Sequence, residues 1–413
     1  MRVLFLTHRL PYAPNRGDRL RAYHILHWLR DRASVELVSL VHDDDEAGHV
    51  DEVRAFVARV TALRVPSVRN HLRAFSTLVS ARPLTHVLLD APGIEATLRE
   101  IVAARLPDVV FAFGSGMARL ALASPLSDLP LILDLVDVDS RKWSDLAATA
   151  RWPLSWVYRR EARTLGAFEA RAATTALATL VVNQREAEIA RQLAPGAKVH
   201  VMANGVELDR LRPVDVPSAQ ARVVFCGVMN YAPNDQGVRW FINEVWPIVR
   251  NDRPDARLAI VGADPLQSLR ALCARDHTIE LTGRVPDVRP WLWDSAVGIA
   301  PLQVARGVQN KALEAIAAGL PIVITSAVSD GLPAAVAPAC TIANGKQDFA
   351  TAVLDLLALT AEKRRARAGS AELGELAWSK TLRPLEVFLR DAAERDLKVR
   401  HAPTAAPPPS SDF

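Results

Sequence analysis

Residues 297–325 read VGIAPLQVARGVQNKALEAIAAGLPIVIT, and this stretch decides the fold class. Two short apolar runs, 297–302 and 321–325, flank a helical segment that ends at Gly319. Continuous apolar runs without alternation are typical of strands buried on both faces of a parallel sheet, and a helix between them is the usual crossover. The stretch therefore predicts a strand, a loop, a helix and a second strand parallel to the first.

The same alternation runs along most of the chain. Apolar runs in the first half are 3–7, 35–41, 108–113, 131–136 and 180–183. Those in the second half are 223–228, 258–262, 279–282, 297–302 and 321–325. Helical spacing occurs between them, for example at 19–30, 47–60 and 236–249. The pattern predicts an α/β fold with two consecutive doubly wound parallel sheets.

Two prolines and a loss of periodicity mark the joint between these units near residue 215. We expect an N-terminal domain over 1–210 and a C-terminal domain over 218–375. A helix over 376–399 should pack its apolar face back on the body, because apolar residues recur there at helical spacing. The Pro- and Ala-rich residues 400–413 should form a disordered tail, since they have nothing to bury.

Composition excludes several classes of protein. The 413 residues carry 50 Lys and Arg against 46 Asp and Glu, a net charge of +4 that argues against a nucleic-acid partner. Three widely spaced cysteines indicate neither a disulfide framework nor a zinc site, which favours a reducing cytoplasm. No apolar run approaches the roughly 20 residues of a membrane span. The composition is that of a soluble globular protein of two or three domains.

The residues that follow a parallel strand are the first place to look for a site, because ligands bind beyond the carboxyl ends of such strands. Arg306, Gln309, Asn310 and Lys311 follow the strand of the opening stretch and begin its helix. The helix N-terminus and the two cations together predict a diphosphate site. Glu314 is three residues further on the same face, where a carboxylate could accept hydrogen bonds from ribose hydroxyls. The alternative is a surface helix with a Lys–Glu pair.

Residues 311–323, KALEAIAAGLPIV, resemble the nucleotide-sugar signature of family 4 of the GT-B glycosyltransferases, also called glycosyl transferases group 1. NGVELD at 204–209, FCGVMNYAPN at 225–234 and GRVPD at 283–287 are similar to further landmarks of that family. The resemblance covers nearly all of the chain except the tail. THRLPYAPNRGD at 7–18, with DLVDVDSRKW at 134–143, is similar to the subgroup found in exosortase/PEP-CTERM exopolysaccharide clusters.

This resemblance implies a GT-B fold, in which two Rossmann-like domains face each other across a cleft. It implies transfer of a sugar from a nucleotide diphosphate donor to a growing, lipid-linked glycan, with retention of the anomeric configuration and without a metal or other cofactor. The donor-binding residues would be Gly227, Asn230, Gly283, Arg284, Val285, Gln309, Asn310, Lys311 and Glu314. The catalytic residues would be Asp137, Arg306 and Lys311.

The chain departs from the family pattern at two places. The usual signature has a Glu eight residues before Glu314, and this chain has Arg306 there. Many members of the family have a basic pair in the loop after Gly227, whereas here Asn230 is followed by no Lys or Arg before Arg239. We expect Arg306 to face phosphate or an anionic sugar and to replace the missing charge.

The N-terminal half should bind the acceptor. Arg16, Gly17 and Asp18 belong to a loop between the first strand and a helix, where backbone could approach a phosphate; a plain turn is the alternative. Asp137 follows the strand at 131–136, where the resemblance implies a polar group beside the transferred sugar. The alternative is that Asp137 or Asp139 caps the next helix.

Residues 141–163 interleave six basic residues and four aromatic residues with only two acids. Such a segment suits the surface of an anionic membrane, and a helix pair with a solvated basic face is the alternative. The function predicted is a hexosyltransferase, cytoplasmic or peripheral on the inner face of the plasma membrane. The rival functions are a GT-B nucleotide-sugar epimerase or hydrolase and a degenerate nucleotide-sugar-binding scaffold.

Overall fold

The computed structural model describes residues 1–13, 17–215, 218–305 and 307–400. Its contacts divide the chain into two compact units. The first unit contains Met1–Val201 and the chain from Arg383 onward, and the second unit contains Met202–Leu382. The division lies between Val201 and Met202. The sequence places it further along the chain, near residue 215. The predicted tail beyond residue 400 lies outside the described residues.

The first unit alternates strands with helices. Its strands are β1 (Arg2–Thr7), β2 (Ser34–Val41), β3 (Arg59–Arg64), β4 (Val109–Phe113), β5 (Leu131–Val136), β6 (Ala178–Val181) and β7 (Val199–Val201). Its helices before β7 are α1 (Gly17–Arg30), α2 (Asp44–Gly48), α3 (Val50–Arg54), α4 (Ser67–Thr77), α5 (Leu84–Leu88), α6 (Ile94–Ala104), α7 (Ser115–Ala121), α8 (Asp139–Thr149), α9 (Leu154–Thr175) and α10 (Gln184–Leu193).

These strands form one parallel sheet in the order β3-β2-β1-β4-β5-β6-β7 within the described residues. The central strands are continuous apolar runs because helices cover both faces of the sheet. Phe5 and Phe111 are register partners on β1 and β4, and their rings meet edge to face at 5.1 Å. The order reverses between β1 and β4, which makes the carboxyl ends of those strands the switch point of the sheet.

The second unit repeats this plan. Its strands are β8 (Arg222–Cys226), β9 (Arg257–Val261), β10 (Ile279–Gly283), β11 (Val297–Ala300), β12 (Ile322–Ile324) and β13 (Cys340–Ile342). Its helices are α11 (Leu208–Leu211), α12 (Ala232–Trp240), α13 (Trp246–Asp252), α14 (Gln267–Cys273), α15 (Arg289–Trp293), α16 (Asn310–Ala317), α17 (Ser326–Ser329), α18 (Lys346–Ala358), α19 (Ala361–Gly369) and α20 (Trp378–Thr381). A π-helical segment, Phe241–Val245, and two 3₁₀ segments, Ala334–Ala339 and Gly374–Leu376, complete it.

The second sheet is also parallel, with the order β10-β9-β8-β11-β12-β13 in the described part of the unit. Its switch point lies between β8 and β11. The π-helical segment joins α12 to α13 in one continuous helical stretch. Pro247, which has no N–H to donate to the preceding turn, follows the segment in the first turn of α13. Trp246 is buried beside it, and its indole N–H donates to Thr278 Oγ1 at 3.1 Å.

Two sequence expectations differ from the structure in detail. The single helix predicted over 47–60 is wrong: the short helices α2 and α3 lie there instead, α3 ends at Arg54, and β3 begins at Arg59 and pairs in register with β2. The single helix predicted over 376–399 is two helices, α20 and α21 (Leu385–Arg400). In the first unit, Phe388 of α21 is buried and its ring packs against His200 at 4.7 Å. No helix in the described part of the chain is long and apolar enough to cross a membrane.

Candidate functional site

The switch point of the second sheet brings the loop after β8 beside the loop after β11. Gly227 follows β8, and Gly262 follows the neighbouring strand β9. A Cβ on Gly262 would lie 1.7 Å from the Gly227 carbonyl oxygen, and φ of Gly262 is +153°. Only glycine therefore permits this approach of the two backbones. The close approach fixes the loop that leads into α12.

Asn234 is the buried anchor of that loop. It lies in the first turn of α12 and is 4% exposed. Its Nδ2 donates to the Val228 carbonyl oxygen at 2.8 Å, which leaves Oδ1 to accept from elsewhere. A Cβ on Gly227 would lie 2.8 Å from the Asn234 Nδ2, so this glycine leaves room for the amide. The amide is thereby held in one orientation.

Lys311 completes the contact across the switch point. It is the second residue of α16, and its Nζ donates to Asn234 Oδ1 at 2.6 Å. The same ammonium lies 4.9 Å from the centroid of the Phe225 ring on β8. An amide oxygen and an aromatic face both stabilise a cation without neutralising it. The site therefore holds a fixed positive charge at the start of a helix.

The charges around Lys311 lie where water has little access. Desolvation lowers the pKa of Lys311 to about 8, although neighbouring Cys226 and Glu314 oppose the shift. Burial raises the pKa of the Cys226 thiol to about 12, so this cysteine stays protonated and is no nucleophile. Burial first, and then repulsion from Glu207, raise the pKa of Glu314. An anionic ligand would relieve the cost of the partly desolvated ammonium.

The first turn of α16 is the helix N-terminus predicted from the sequence. Gln309 is its N-cap residue, and its side chain makes no capping hydrogen bond among the described residues. Asn310 Oδ1 accepts from Asn204 Nδ2 at 3.2 Å, which ties the turn to residues before β8. Glu314 lies one turn beyond Asn310 on the same helix, and its side chain is partly exposed. The turn thus combines backbone donors, a cation and a carboxylate.

The remaining predicted donor residues lie on neighbouring loops of the second unit. Gly283 ends β10 with φ of +70°, and its carbonyl oxygen accepts from Gly262 N at 3.2 Å. Arg284 is exposed, whereas Val285 packs partly against the core. Asn230 is exposed too, and its Nδ2 lies 3.4 Å from Asp264 Oδ2. The structure thus brings Lys311 into contact with Asn234, whereas Asn230 and Arg284 face solvent.

Two predicted site residues lie outside the described residues. Arg306 lies outside the described residues, and so does Arg16 with the loop before it. Gly17 and Asp18 begin α1, and nothing further is described of their side chains. The expectations for Arg306 and for this loop therefore stay predictions.

The first unit has polar groups at the switch point of its own sheet. His8 follows β1, and its Nδ1 lies 3.4 Å from the Phe113 carbonyl oxygen at the end of β4. Gly114, with φ of +84°, lies against the same imidazole. Deeper in the sheet, Arg21 of α1 donates from Nε to Asp134 Oδ2 at 2.7 Å, and both side chains are buried. The ion pair holds α1 against the end of β5.

Asp137 follows β5 and is not the cap of α8. The N-cap residue is Val138, and carboxylates of other helices accept the first donors of α8. Glu186 Oε2 accepts from Val138 N at 2.8 Å, and Glu169 Oε2 accepts from Ser140 N at 3.2 Å. The alternative of a cap by Asp137 or Asp139 is therefore wrong, since longer side chains from α9 and α10 fill that role.

The Asp137 carboxyl therefore neither caps α8 nor accepts a hydrogen bond through Oδ1 within the described residues. Its Oδ1 is buried and has no hydrogen-bond partner among them. Burial raises the pKa of Asp137 to about 7, and repulsion from Glu186 and Asp139 adds to the shift. Arg21 and Lys142 oppose it. A carboxyl that titrates near neutral pH at the end of a parallel strand is a candidate for chemistry.

Sequence reasoning missed the residues that support these groups. Asn234 stands within the quoted stretch at 225–234, but nothing in the pattern singles out an amide that reaches another helix. Arg21, Glu169 and Glu186 resemble ordinary surface positions of amphipathic helices until the fold buries them.

Comparisons with known proteins agree with this arrangement. Residues 220–359 match the family described as Glycosyl transferases group 1. The match covers most of the second unit and includes Asn234, Lys311 and Glu314. No curated protein matches the chain.

Solved structures are similar over nearly the whole chain. HepE from Anabaena, in a complex with UDP and glucose, is 15% identical with a TM-score of 0.67, over 95% of this chain and 100% of HepE. WaaG, a glycosyltransferase involved in lipopolysaccharide biosynthesis, is 15% identical with a TM-score of 0.61, over 92% of this chain and 98% of WaaG. A UDP-forming trehalose-phosphate synthase from Burkholderia xenovorans is 14% identical with a TM-score of 0.63, over 95% of this chain and 99% of the synthase.

At these identities the likeness concerns the fold. The described residues form two α/β units with parallel sheets of seven and six strands, and a helical C-terminus. This architecture matches the GT-B glycosyltransferase structures. The GT-B fold class predicted from the sequence is therefore confirmed. The second unit is the part of the chain that carries the family match.

Proposed function

We propose that this chain is a retaining glycosyltransferase of the hexosyltransferase type that uses a nucleotide diphosphate sugar. The observation that carries the proposal is the 2.6 Å hydrogen bond from Lys311 Nζ to Asn234 Oδ1 at the switch point of the second sheet. It fixes a cation beside the first turn of α16, where a diphosphate would bind. The match of residues 220–359 to glycosyl transferases group 1 and the UDP bound to HepE support the same ligand class.

Each side chain of this site has a proposed role. Lys311 and the amide groups of the α16 N-terminus stabilise the negative charge that develops on the leaving diphosphate. Arg306 adds a second cation, and Glu314 accepts hydrogen bonds from the ribose. The backbone at Gly283, Arg284 and Val285 holds the base. With two cations and a helix dipole on the diphosphate, we propose that transfer requires no metal and no other cofactor.

Asp137 is the proposed catalytic group of the first unit. Its pKa of about 7 makes the carboxyl able to change protonation near neutral pH. Such a group can interact more strongly with a positively charged transition state than with the neutral sugar. The loop of Arg16, Gly17 and Asp18 is the proposed acceptor or phosphate loop.

The proposed acceptor is a growing, lipid-linked glycan of bacterial exopolysaccharide biosynthesis, in the manner of the exosortase/PEP-CTERM subgroup. The enzyme would be cytoplasmic and peripheral on the inner face of the plasma membrane, with contact through residues 141–163. In that segment Trp152 is 81% exposed and Trp156 is 46% exposed. Trp143 and Tyr158 instead pack on each other at 5.4 Å. The exposed pair is available for the headgroup region.

The test is a panel of UDP-sugars and GDP-sugars scored first by thermal shift and then by product formation. A bound donor should raise Tm, and Lys311→Ala should weaken donor binding by about 10- to 100-fold because it removes a charge-assisted hydrogen bond. Lys346→Ala is the matched control, since Lys346 is an exposed lysine of the same unit that pairs with Glu244.

The outcomes separate the rival functions. Turnover of a donor without any acceptor would favour an epimerase or hydrolase. Binding without turnover over a range of lipid-linked acceptors would favour a scaffold. Absence of a shift with every donor would contradict the proposal.

A further inference from the structure

Helix α4 exposes an apolar stripe. Val68, Leu72 and Phe75 recur along it at helical spacing and are 78%, 67% and 72% exposed. Val79, just beyond the helix, continues the stripe at 94% exposure. Isolated exposed apolar side chains are common, but three in one row on a helix, continued by a fourth just beyond it, mark a contact surface.

The orientation of α4 is fixed by polar contacts on its inner face. Asn70 is buried, and its Nδ2 donates to the carbonyl oxygens of Asp90 at 2.7 Å and Leu88 at 3.2 Å. Arg73 adds an ion pair with Asp90 at 2.7 Å. The helix is thus held to the unit by an amide and a charge, while its apolar face points to solvent. This arrangement is the reverse of an ordinary surface helix, whose apolar face packs inward.

Residues of α9 hold the end of α4 in place. The buried Arg160 donates to the carbonyl oxygens of Leu78 at 3.1 Å, Thr77 at 2.9 Å and Arg82 at 2.7 Å. The adjacent Glu161 accepts from the backbone N–H of Leu84 at 2.7 Å. These bonds place the C-terminal end of α4 and the residues that follow it beside α9.

A second group of exposed apolar side chains lies at those first turns. Trp152, Leu154 and Trp156 are 81%, 54% and 46% exposed. Trp156 precedes Arg160 by one turn, a rise of about 6 Å along the helix. Both groups belong to the first unit, and Arg160 ties the end of α4 to the helix that carries the second group. We call them together the apolar surface: Val68, Leu72, Phe75, Val79, Trp152, Leu154 and Trp156.

The charge around the apolar surface is positive. Residues 65–89 contain three arginines, Arg69, Arg73 and Arg82, and no Asp or Glu. Arg69 and Arg82 are exposed, and so are Arg151 and Arg159 beside the tryptophans. Arg73 is paired with Asp90, which leaves the exposed arginines near these residues in the sequence to interact with a ligand. Exposed apolar side chains with neighbouring arginines suit an anionic bilayer, because the apolar side chains can enter the acyl boundary while the arginines contact headgroups.

We propose that α4 and the start of α9 form one interfacial docking surface for an anionic lipid bilayer. This inference deepens the proposed membrane contact of residues 141–163. It rests on that proposed contact for Trp152, Leu154 and Trp156, and not for the stripe of α4. It adds α4, which the sequence did not implicate, as the larger part of the surface. Docking through α4 would hold the first unit at the membrane without a spanning helix.

The test is co-sedimentation of the full chain with vesicles, without donor or acceptor. Wild type should bind phosphatidylcholine–phosphatidylglycerol vesicles and bind phosphatidylcholine vesicles more weakly. The double variant Leu72→Glu/Phe75→Glu should lower the partition coefficient by at least about tenfold, because it replaces two apolar contacts with charges. Its fold should be retained, since both side chains are exposed, and an unchanged circular dichroism spectrum and an unchanged UDP-induced Tm shift would verify this.

Leu106→Glu/Leu266→Glu is the matched control, because these residues are also exposed, at 40% and 48%, and lie outside the apolar surface. It should bind vesicles like wild type. Equal binding by both double variants would overturn the proposal, and so would a wild type that binds neither vesicle. The wild type could instead bind no vesicles and form a dimer that Leu72→Glu/Phe75→Glu converts to a monomer. That result would overturn membrane docking and show that the stripe of α4 binds a second copy of the chain. UDP binding is measured separately, so its failure would contradict the proposed function alone.

Discussion

Lys311 Nζ and Asn234 Oδ1 lie 2.6 Å apart and join the helix after β11 to the helix after β8. This hydrogen bond spans the one place in the second sheet where the strand order reverses. Among the described residues no carboxylate forms an ion pair with this ammonium, so the charge stays available to an anion. The depressed pKa of Lys311, about 8, follows from its desolvation, which outweighs the opposing effect of Cys226 and Glu314.

The affinity for UDP should therefore fall as the pH rises through about 8, the pKa of Lys311 in the free protein. Below that pKa the ammonium is charged and attracts the diphosphate, and above it the diphosphate must recruit a proton. Calorimetry one pH unit below and one above this pKa, in buffers of different ionisation enthalpy, should show weaker binding and proton uptake at the higher pH. Lys311→Arg keeps its charge and should flatten the profile; a profile that persists in this variant would assign the titration to another group.

Asn234→Ala should lower the free energy of unfolding by about 1–3 kcal/mol, because it removes the hydrogen bond to the Val228 carbonyl oxygen and the acceptor of the Lys311 ammonium. It should also weaken UDP binding, since Lys311 loses the acceptor that orients it. Denaturant titration and calorimetry measure the two effects. Asn230→Ala is the stability control, because Asn230 is exposed and its contact with Asp264 is 3.4 Å long. Equal stability losses in both variants would contradict the role of Asn234.

Gly262→Ala should be more damaging than Gly283→Ala. A Cβ on Gly262 would lie 1.7 Å from the Gly227 carbonyl oxygen, so the loop after β8 must move. A Cβ on Gly283 would meet nothing within 4 Å, so its cost is that of φ at +70°, about 1–2 kcal/mol. Urea denaturation and UDP affinity should both rank the variants in this order. Gly369→Ala, with open space and an ordinary φ, should resemble wild type.

Chelation of divalent metals should leave the rate of transfer unchanged. The proposed charge stabilisation comes from Lys311, from Arg306 and from the N-terminus of α16, which EDTA does not affect. Product formation with and without EDTA, at saturating donor, measures this directly. A rate that EDTA abolishes and Mg²⁺ or Mn²⁺ restores would show that the proposed metal-free mechanism is wrong.

The fold could be predicted well because buried parallel strands are continuous apolar runs. The edge strands β3, β7 and β13 were missed: RVTALR, VHV and CTI are short and mixed in polarity, so periodicity does not separate them from loops. Lys311 and Glu314 could be singled out because they follow a strand that is unmistakable in the sequence. Asn234 and the carboxylates of Glu169 and Glu186 could not, because their partners are 77, 29 and 48 residues away along the chain.

The Asp137 carboxyl should make the protein less stable as the pH rises from about 4 to about 7. Its pKa is about 7 in the folded protein against an ordinary value of 3.8, so the folded state holds a proton that the unfolded state has lost between these values. By linkage, its contribution to stability is complete below about pH 4 and is lost as the pH rises through about 7. Asp137→Asn removes this ionisation. The variant should therefore exceed wild type in unfolding free energy above pH 7 and approach it near pH 4.

The same variant separates a structural carboxyl from a catalytic one. If Asp137 stabilises charge at the reacting sugar, Asp137→Asn should lower kcat by about 100-fold or more while leaving the UDP affinity unchanged. Asp128→Asn is the matched control, since Asp128 is an exposed carboxylate shortly before β5. A more stable Asp137→Asn protein with wild-type kcat would mean that the buried carboxyl takes no part in transfer, because relief of a buried charge alone changes stability and not the rate.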